Sequence, residues 1–309
     1  MSDSFYLLPE TRGLLAIAGE DKVAFLQGLV SNDVAKTAPD RALYSAFLTA
    51  QGRYLHDFFL AEAGGSFYVD CEAARRDDLK KRLSLYKLRS KVTIADATAS
   101  HAVALLYGDG VLRSLGLLPE PGSAKPFAGG VVYVDPRLPA LGARAVLPRE
   151  GAAAALEAAG FKPGDAAAYE RLRLSLGVPD GSRDLPVEKA ILLENGFDEL
   201  HAIDWNKGCY LGQELTARTR YRGLVRKRLM PVAIEGPVPA PGTPVMLVDP
   251  TTKETREAGE MRSAANGIGL ALLRLELVEG TATPPALYAG EAKLTAKKPD
   301  WVRLPETLA

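Results

Sequence analysis

The segment Lys207-Gly208-Cys209-Tyr210-Leu211-Gly212-Gln213-Glu214 sets one of only two cysteines in the chain between a lysine and two glycines. A thiol acts as nucleophile or soft metal ligand in its thiolate form, and a glycine-flanked bend near cations leaves that form both accessible and stabilised. Cys71, which ends the apolar run FYVDC, reads instead as a small buried hydrophobe. Cys209 has polar and turn-forming neighbours, so it is the candidate functional thiol, with simple packing as the alternative. Downstream, Arg218, Arg220, Arg222, Arg226, Lys227 and Arg228 put six positive charges into eleven residues with no acid among them. Placed on a strand, the alternation of 218–222 would turn three guanidinium groups to one face. Such a stripe suits a bound anion, RNA phosphates with an interleaved aromatic, or plain solvent. His201, eight residues before the thiol, is near it only in sequence, and a protease-type nucleophile needs its base in contact.

The elements that must position these residues follow from periodicity. GLLAIA at 13–18 reads as a buried strand, and the apolar positions Val23, Leu26 and Val30 behind Glu20-Asp21 read as a short amphipathic helix. ALYSAFLTA, YLHDFFLA and FYVDC, joined by glycine turns, predict an antiparallel meander. Ala73–Leu88 has helical spacing, and KVTIAD is a strand. The Pro- and Gly-rich composition of 115–142 suggests a loop-rich crossing between two subdomains, and 151–159 and 166–176 are helix candidates. Beyond Met230, short strand-like runs, IGLALLRLELV among them, predict a small β-barrel or sandwich. The expected organisation is a main domain over 1–229 and a C-terminal β domain over 230–309.

Composition narrows the function classes. With 309 residues, 47% hydrophobic and 25% charged, the chain can build more than one core and has little room for extensive disorder. Lys plus Arg balance Asp plus Glu at 38 each, so no global field draws it to nucleic acid or an anionic membrane. Two cysteines and three scattered histidines make neither a disulfide framework nor a metal site. The first residues lack a secretory pattern and no run is long enough to span a bilayer, which points to a cytoplasmic protein in a reducing compartment.

Taken with FLQGLVSNDV, QGRYLHDFFL and RLRLSLGVP, the KGCYLGQE segment resembles the YgfZ/GcvT superfamily, in particular its YgfZ branch of folate-binding proteins of iron-sulfur cluster assembly and repair. The resemblance implies an α+β, GcvT-like fold of two subdomains around a central folate site, capped by a β-barrel. It implies tetrahydrofolate or a derivative as ligand, and iron-sulfur scaffold or carrier proteins and client enzymes as partners. In the related aminomethyltransferases the strand matching QGRYLHDFFL carries two adjacent acids; here they are His56 and Asp57, so Asp57 aligns with the catalytic acid. Tyr44 matches a pocket aromatic, Arg218 or Arg220 can hold the glutamate tail of a folate, and Ser175 stands where those enzymes carry a pterin-binding glutamate. That substitution argues against transferase chemistry. The leading expectation is a tetrahydrofolate-binding iron-sulfur assembly factor with Cys209 as its thiol. The alternatives are a folate-dependent aminomethyltransferase and a tRNA-modification accessory, the latter disfavoured by the neutral charge.

Overall fold

The computed structural model describes residues 3–223, 225–248, 252, 254–278 and 286–304. The chain divides into two compact units, one of Met1–Ala50, Leu55–Ala166 and Leu200–Gln213, the other of Gln51–Tyr54, Ala167–Glu199 and Glu214–Ala309.

Through the first unit run β1 (Phe5–Leu7), β2 (Arg12–Ala18), α1 (Lys22–Gln27), β3 (Leu43–Leu48), β4 (Tyr54–Ala63), β5 (Ser66–Glu72), α2 (Arg76–Lys87) and β6 (Thr93–Asp96). They are followed by β7 (His101–Tyr107), α3 (Val111–Leu115), β8 (Ala124–Phe127), β9 (Gly130–Val134), β10 (Ala143–Pro148), α4 (Ala152–Ala158) and β11 (Lys162–Pro163). Two sheets result, a five-stranded one in the order β3-β4-β5-β2-β6 and a six-stranded one in the order β11-β1-β7-β10-β9-β8. The expected meander is present as β3, β4 and β5. The segment 115–142, expected as a loop crossing, contains instead the β8–β9 hairpin at the edge of the six-stranded sheet.

Side-chain alternation divides the six-stranded sheet into two unlike faces. One presents Ala104, Leu106, Val132, Val134, Ala145 and Leu147 to α3 and α4 and forms an apolar core. The other carries Tyr133 on β9 and Arg144 on β10, both buried, and belongs to a layer of charge. There Arg12 and Arg144 converge on the fully buried Asp70 of β5, at 2.7 and 2.5 Å. Asp135 holds Arg137 at 2.8 Å and lies 3.7 Å from Arg144. All three guanidinium groups lie over the ring of Phe59, Arg144 at 3.8, Arg137 at 4.8 and Arg12 at 5.7 Å from its centroid. Paired charges and aromatic faces together replace the water these groups lose.

The second unit holds α5 (Ala166–Ser175), α6 (Gln213–Tyr221), β12 (Lys227–Glu235), β13 (Pro244–Val248), β14 (Thr255–Ala265), β15 (Ile268–Arg274), α7 (Leu275–Val278), β16 (Ala286–Ala289) and β17 (Ala292–Ala296). The six strands close into a barrel in the order β12-β15-β14-β13-β16-β17. The run read as IGLALLRLELV stops being a strand at Arg274. Leu275 then enters the barrel core from the first turn of α7. Segment 167–199 is bonded to the barrel through Arg173. Its guanidinium meets Glu170 at 2.6 Å, Asp184 at 2.8 Å and the hydroxyl of Ser263 on β14 at 2.8 Å.

Asp70→Asn leaves two buried guanidinium groups facing a neutral amide. It is expected to lower unfolding free energy by about 3–5 kcal/mol, read as a shift in the urea midpoint at unchanged native circular dichroism.

Candidate functional site

Helix α1 has six residues, and its last carbonyls have no partner within it. The ammonium of Lys207 supplies one. Its Nζ donates to the carbonyls of Gln27 at 2.9 Å, Val30 at 2.6 Å and Asn32 at 2.7 Å, which uses all three N–H groups. The Tyr210 ring lies 5.2 Å from the same nitrogen. Around this staple, Leu211 N–H donates to the Gly28 carbonyl at 3.0 Å and Asp204 N–H to that of Ser31 at 3.1 Å. Ser31 Oγ donates to the Ala202 carbonyl at 2.6 Å, and Asn32 Nδ2 to the carbonyls of Tyr44 and His201 at 2.8 and 2.7 Å. The loop 200–213 is thereby tied at many points to residues 27–33.

Within that loop nearly every signature residue has a structural task. Gln213 Oε1 accepts from Tyr210 N–H at 3.1 Å, and Gly212 takes φ +78, which a side chain would strain. Glu214 is exposed and pairs with Arg218 one turn on, at 3.4 Å. Cys209 has no such task and is exposed, whereas Cys71 is buried. Burial pushes the Cys71 thiol up to about 12, so it is inert at neutral pH. Partial burial pulls Lys207 down to about 8, against the opposing pull of Asp33 and Asp204, so the ammonium persists at neutral pH. Sequence reading placed Lys207 in the motif without a role; its signal was a cation in a glycine turn, and its acceptors lie 175 to 180 residues away.

The residues expected to face a folate have protein partners of their own. Asp57 is 4% exposed and its Oδ2 accepts from the Tyr44 hydroxyl at 2.7 Å. The Tyr44 ring is stacked on Phe59 at 4.9 Å, and the Arg137 guanidinium lies over it at 5.6 Å. That ring is taken up by its neighbours and presents no face for a pterin. Ser175, in the second unit, is exposed at the end of α5 and its Oγ donates back to the Leu172 carbonyl at 2.8 Å. In the first unit Tyr44 and Asp57 are thus engaged with each other and their neighbours, and in the second Ser175 is engaged with its own helix. His56, on the opposite side of β4 from Asp57, is buried with Nε2 2.9 Å from Asp78. Burial, aided by Arg75, lowers its pKa to about 4, so it is neutral at pH 7.

The arginine stripe is corrected. Arg218 and Arg220 lie on helix α6, not on a strand, and the buried positions Thr216 and Thr219, three apart, mark its inner side. Arg218 and Arg222 then share one face, and Arg220 points away from them, 3.9 Å from Asp198. Arg228 is buried, bonded to the Leu193 carbonyl at 2.6 Å and to Glu199 at 2.5 Å. The even row of a strand face, read as suited to RNA phosphates, is not formed. Among the described residues there is no helix long and apolar enough to cross a membrane and no group of three or more His, Cys, Asp or Glu side chains that could hold a metal.

Comparison with known proteins gives this geometry a family. Residues 226–304 match the model of the CAF17 C-terminal beta-barrel domain. The glycine cleavage system aminomethyltransferase T of Bartonella henselae superposes with a TM-score of 0.74 over 97% of this chain and 87% of its own, at 16% identity, so the GcvT-like fold is shared. The mitochondrial iron-sulfur cluster assembly factor IBA57 of Mus musculus is 34% identical, covering 94% of this chain and 83% of its own. The chain belongs to the IBA57 family. The human IBA57 is likewise 34% identical over 94% of this chain and 83% of its own, and the IBA57 homologue of Mycosarcoma maydis 33% over 86% and 73%. These relatives overturn the expectation of a cytoplasmic protein, since all three are named as mitochondrial. The reason is physical: a targeting leader is removable, so N-terminal composition does not report where the folded body works.

For His56 the unfolded value of 6.5 exceeds the folded value of about 4, so the unfolded chain takes up a proton that the folded chain refuses. Its contribution is complete above pH 6.5 and is lost as pH falls toward 4, a decline on the order of 3 kcal/mol. His56→Gln is expected to flatten that part of the stability-pH curve in urea titrations, and an unchanged slope would rule the assignment out.

Proposed function

We propose that this IBA57-family chain assists the assembly or repair of iron-sulfur proteins, with Cys209 as the thiol that meets the cluster. The observation that carries the reading is the division of labour in KGCYLGQE. Lys207, Tyr210, Gly212 and Gln213 hold the loop, while the exposed thiol takes no part in holding it. Gly208 strengthens it. A Cβ there would meet nothing within 4 Å, and Gly208 is not among the glycines with positive φ. Neither packing nor backbone conformation calls for glycine at 208, but an unobstructed approach to the neighbouring thiol does.

One thiolate cannot hold a cluster, whose ordinary sites use four. The partner must therefore supply the remaining ligands, and the elementary step is ligand exchange on an iron of its cluster. Cys209 gives its proton to solvent and its thiolate enters the iron's coordination sphere as a partner thiolate leaves and is protonated. Iron and sulfide keep their oxidation states. A loop stapled by a half-buried ammonium keeps the thiol in place during the exchange, which lowers the ordering cost of the encounter.

The finer reading, a YgfZ-type tetrahydrofolate binder, rests on the resemblance of KGCYLGQE. Tyr44 is buried against Asp57 and Phe59, and the exchange at Cys209 needs no folate. Calorimetric titration of tetrahydrofolate is expected to give the same isotherm for the wild type and Asp57→Asn; binding seen only with the aspartate would restore that carboxylate as a folate contact.

Cys209→Ser is expected to abolish cluster transfer to an apo client protein while leaving thermal stability unchanged; full transfer would sink the thiol assignment. Gly208→Val is expected to fold normally and to keep a Cys209 that reacts with a small disulfide reagent at the wild-type rate. Its protein-to-protein transfer should slow by about tenfold, equivalent to about 1.4 kcal/mol.

A further inference from the structure

The last turn of α2 and the residue that follows it turn three large apolar side chains to solvent: Leu85 is 69% exposed, Tyr86 42% and Leu88 88%. Exposed apolar residues are unremarkable singly, but three at one helix end form a patch of the kind that marks an interaction site. Residues 79–91 around them carry Lys80, Lys81, Arg82, Lys87, Arg89 and Lys91 and no acid. Arg82 is engaged by Asp78 at 2.8 Å and Lys91 by Glu20 at 3.0 Å. Lys81, Lys87 and Arg89 have no such ion pair among the described residues. Just past the helix, Leu88 is held at φ +44, in the left-handed region that leucine rarely adopts. Beside it lies a shallow cleft, largely open to solvent, lined by Asp21, Leu88, Arg89 and Ser90.

Asp21 ties this cleft to the thiol loop. It precedes α1, and its Oδ2 accepts from Lys91 N–H at 2.7 Å, while the other end of α1 is where Lys207 and Leu211 bind the carbonyls of Gln27 and Gly28. The six residues of α1 span about 9 Å at 1.5 Å per residue. A body seated in the cleft thus reaches the Cys209 loop along one short helix.

We propose that the C-terminal end of α2 and its cleft dock an acidic protein, the one that carries the cluster to Cys209. The docking rests on the apolar trio and its cationic rim; only the identity of the cargo rests on the function proposed above. Three cations without acids of their own call for an acidic partner surface, and the exposed apolar side chains among them call for apolar contacts at its centre. An anionic bilayer would also attract the cations. It would, however, set a continuous layer of anionic headgroups against the Asp21 carboxylate, where a folded protein can present a donor.

The test uses the full-length chain and a purified, cluster-loaded iron-sulfur carrier protein of acidic isoelectric point from the same organism. Wild type is expected to bind it with an affinity that falls as salt rises, and Leu88→Ser and Arg89→Glu are expected each to weaken it by about tenfold. Both residues are exposed, so native circular dichroism is expected to persist, and Cys209 is expected to keep its rate with a small disulfide reagent. Cys209→Ser is expected to bind the carrier as wild type does and fail only in transfer. Absence of wild-type binding, or variants that bind unchanged, would overturn the docking proposal. So would preferential binding of the wild type to phosphatidylglycerol vesicles, or a dimer that Leu88→Ser dissolves in sedimentation. Full transfer by Cys209→Ser would overturn the thiol reading and leave the docking standing.

Discussion

A six-residue helix cannot satisfy its own final carbonyls, and the chain meets that constraint with one ammonium ion brought from the far end of the first unit. Lys207 closes the end of α1, and the loop on which it sits is fixed by the same three bonds. The arrangement couples two things that otherwise vary independently, the ending of a helix and the placement of a thiol. Any rearrangement that freed Cys209 to wander would strand three carbonyl groups, each a loss of about 1 kcal/mol or more. The rigidity of the site is thus a by-product of backbone hydrogen bonding, which is less easily lost than a single side-chain contact.

The first unit uses charge in a second way. Its inter-sheet layer is not the apolar sandwich core that two facing sheets ordinarily form. Arg12, Arg137 and Arg144 oppose Asp70 and Asp135, and the ring of Phe59 lies under all three guanidinium groups. Such a layer contributes little net stability compared with hydrocarbon, but it admits one register of strands and penalises every other. In that setting the Tyr44–Asp57 pair reads as part of the layer's wiring. The Asp57 carboxylate is occupied there with holding the hydroxyl of Tyr44.

Much of the fold was legible because its strands and helices keep their periods: β2, the meander β3 to β5, α2 and the barrel strands β12 to β15 all fall where alternation and turn residues put them. β7 was not legible, because HAVALLY is apolar on both faces, one toward α3 and α4 and the other toward the inter-sheet layer, so no alternation shows. At the candidate site the sequence drew attention to the thiol and gave no sign of its support. Lys207 works on carbonyls remote in sequence, and no local pattern reports that. The arginines at 218–222 mislead for the opposite reason: Arg-Thr-Arg-Tyr-Arg has a period of two, yet the buried threonines at 216 and 219 set a helix. Small residues three apart carried the true signal.

One consequence concerns oxidation. Cys71 is sealed in the strand core at 1% exposure, and Cys209 stands on the surface of the same unit. Buried Cys71 offers no accessible thiol with which Cys209 could pair. The exposed sulfur accordingly finds no shelter in the folded unit that carries it. Under oxidants Cys209 either climbs through sulfenic toward irreversible acids or is captured by a thiol from another molecule. Its survival is set by how quickly a second molecule arrives, which makes the protein's working lifetime a property of the company it keeps.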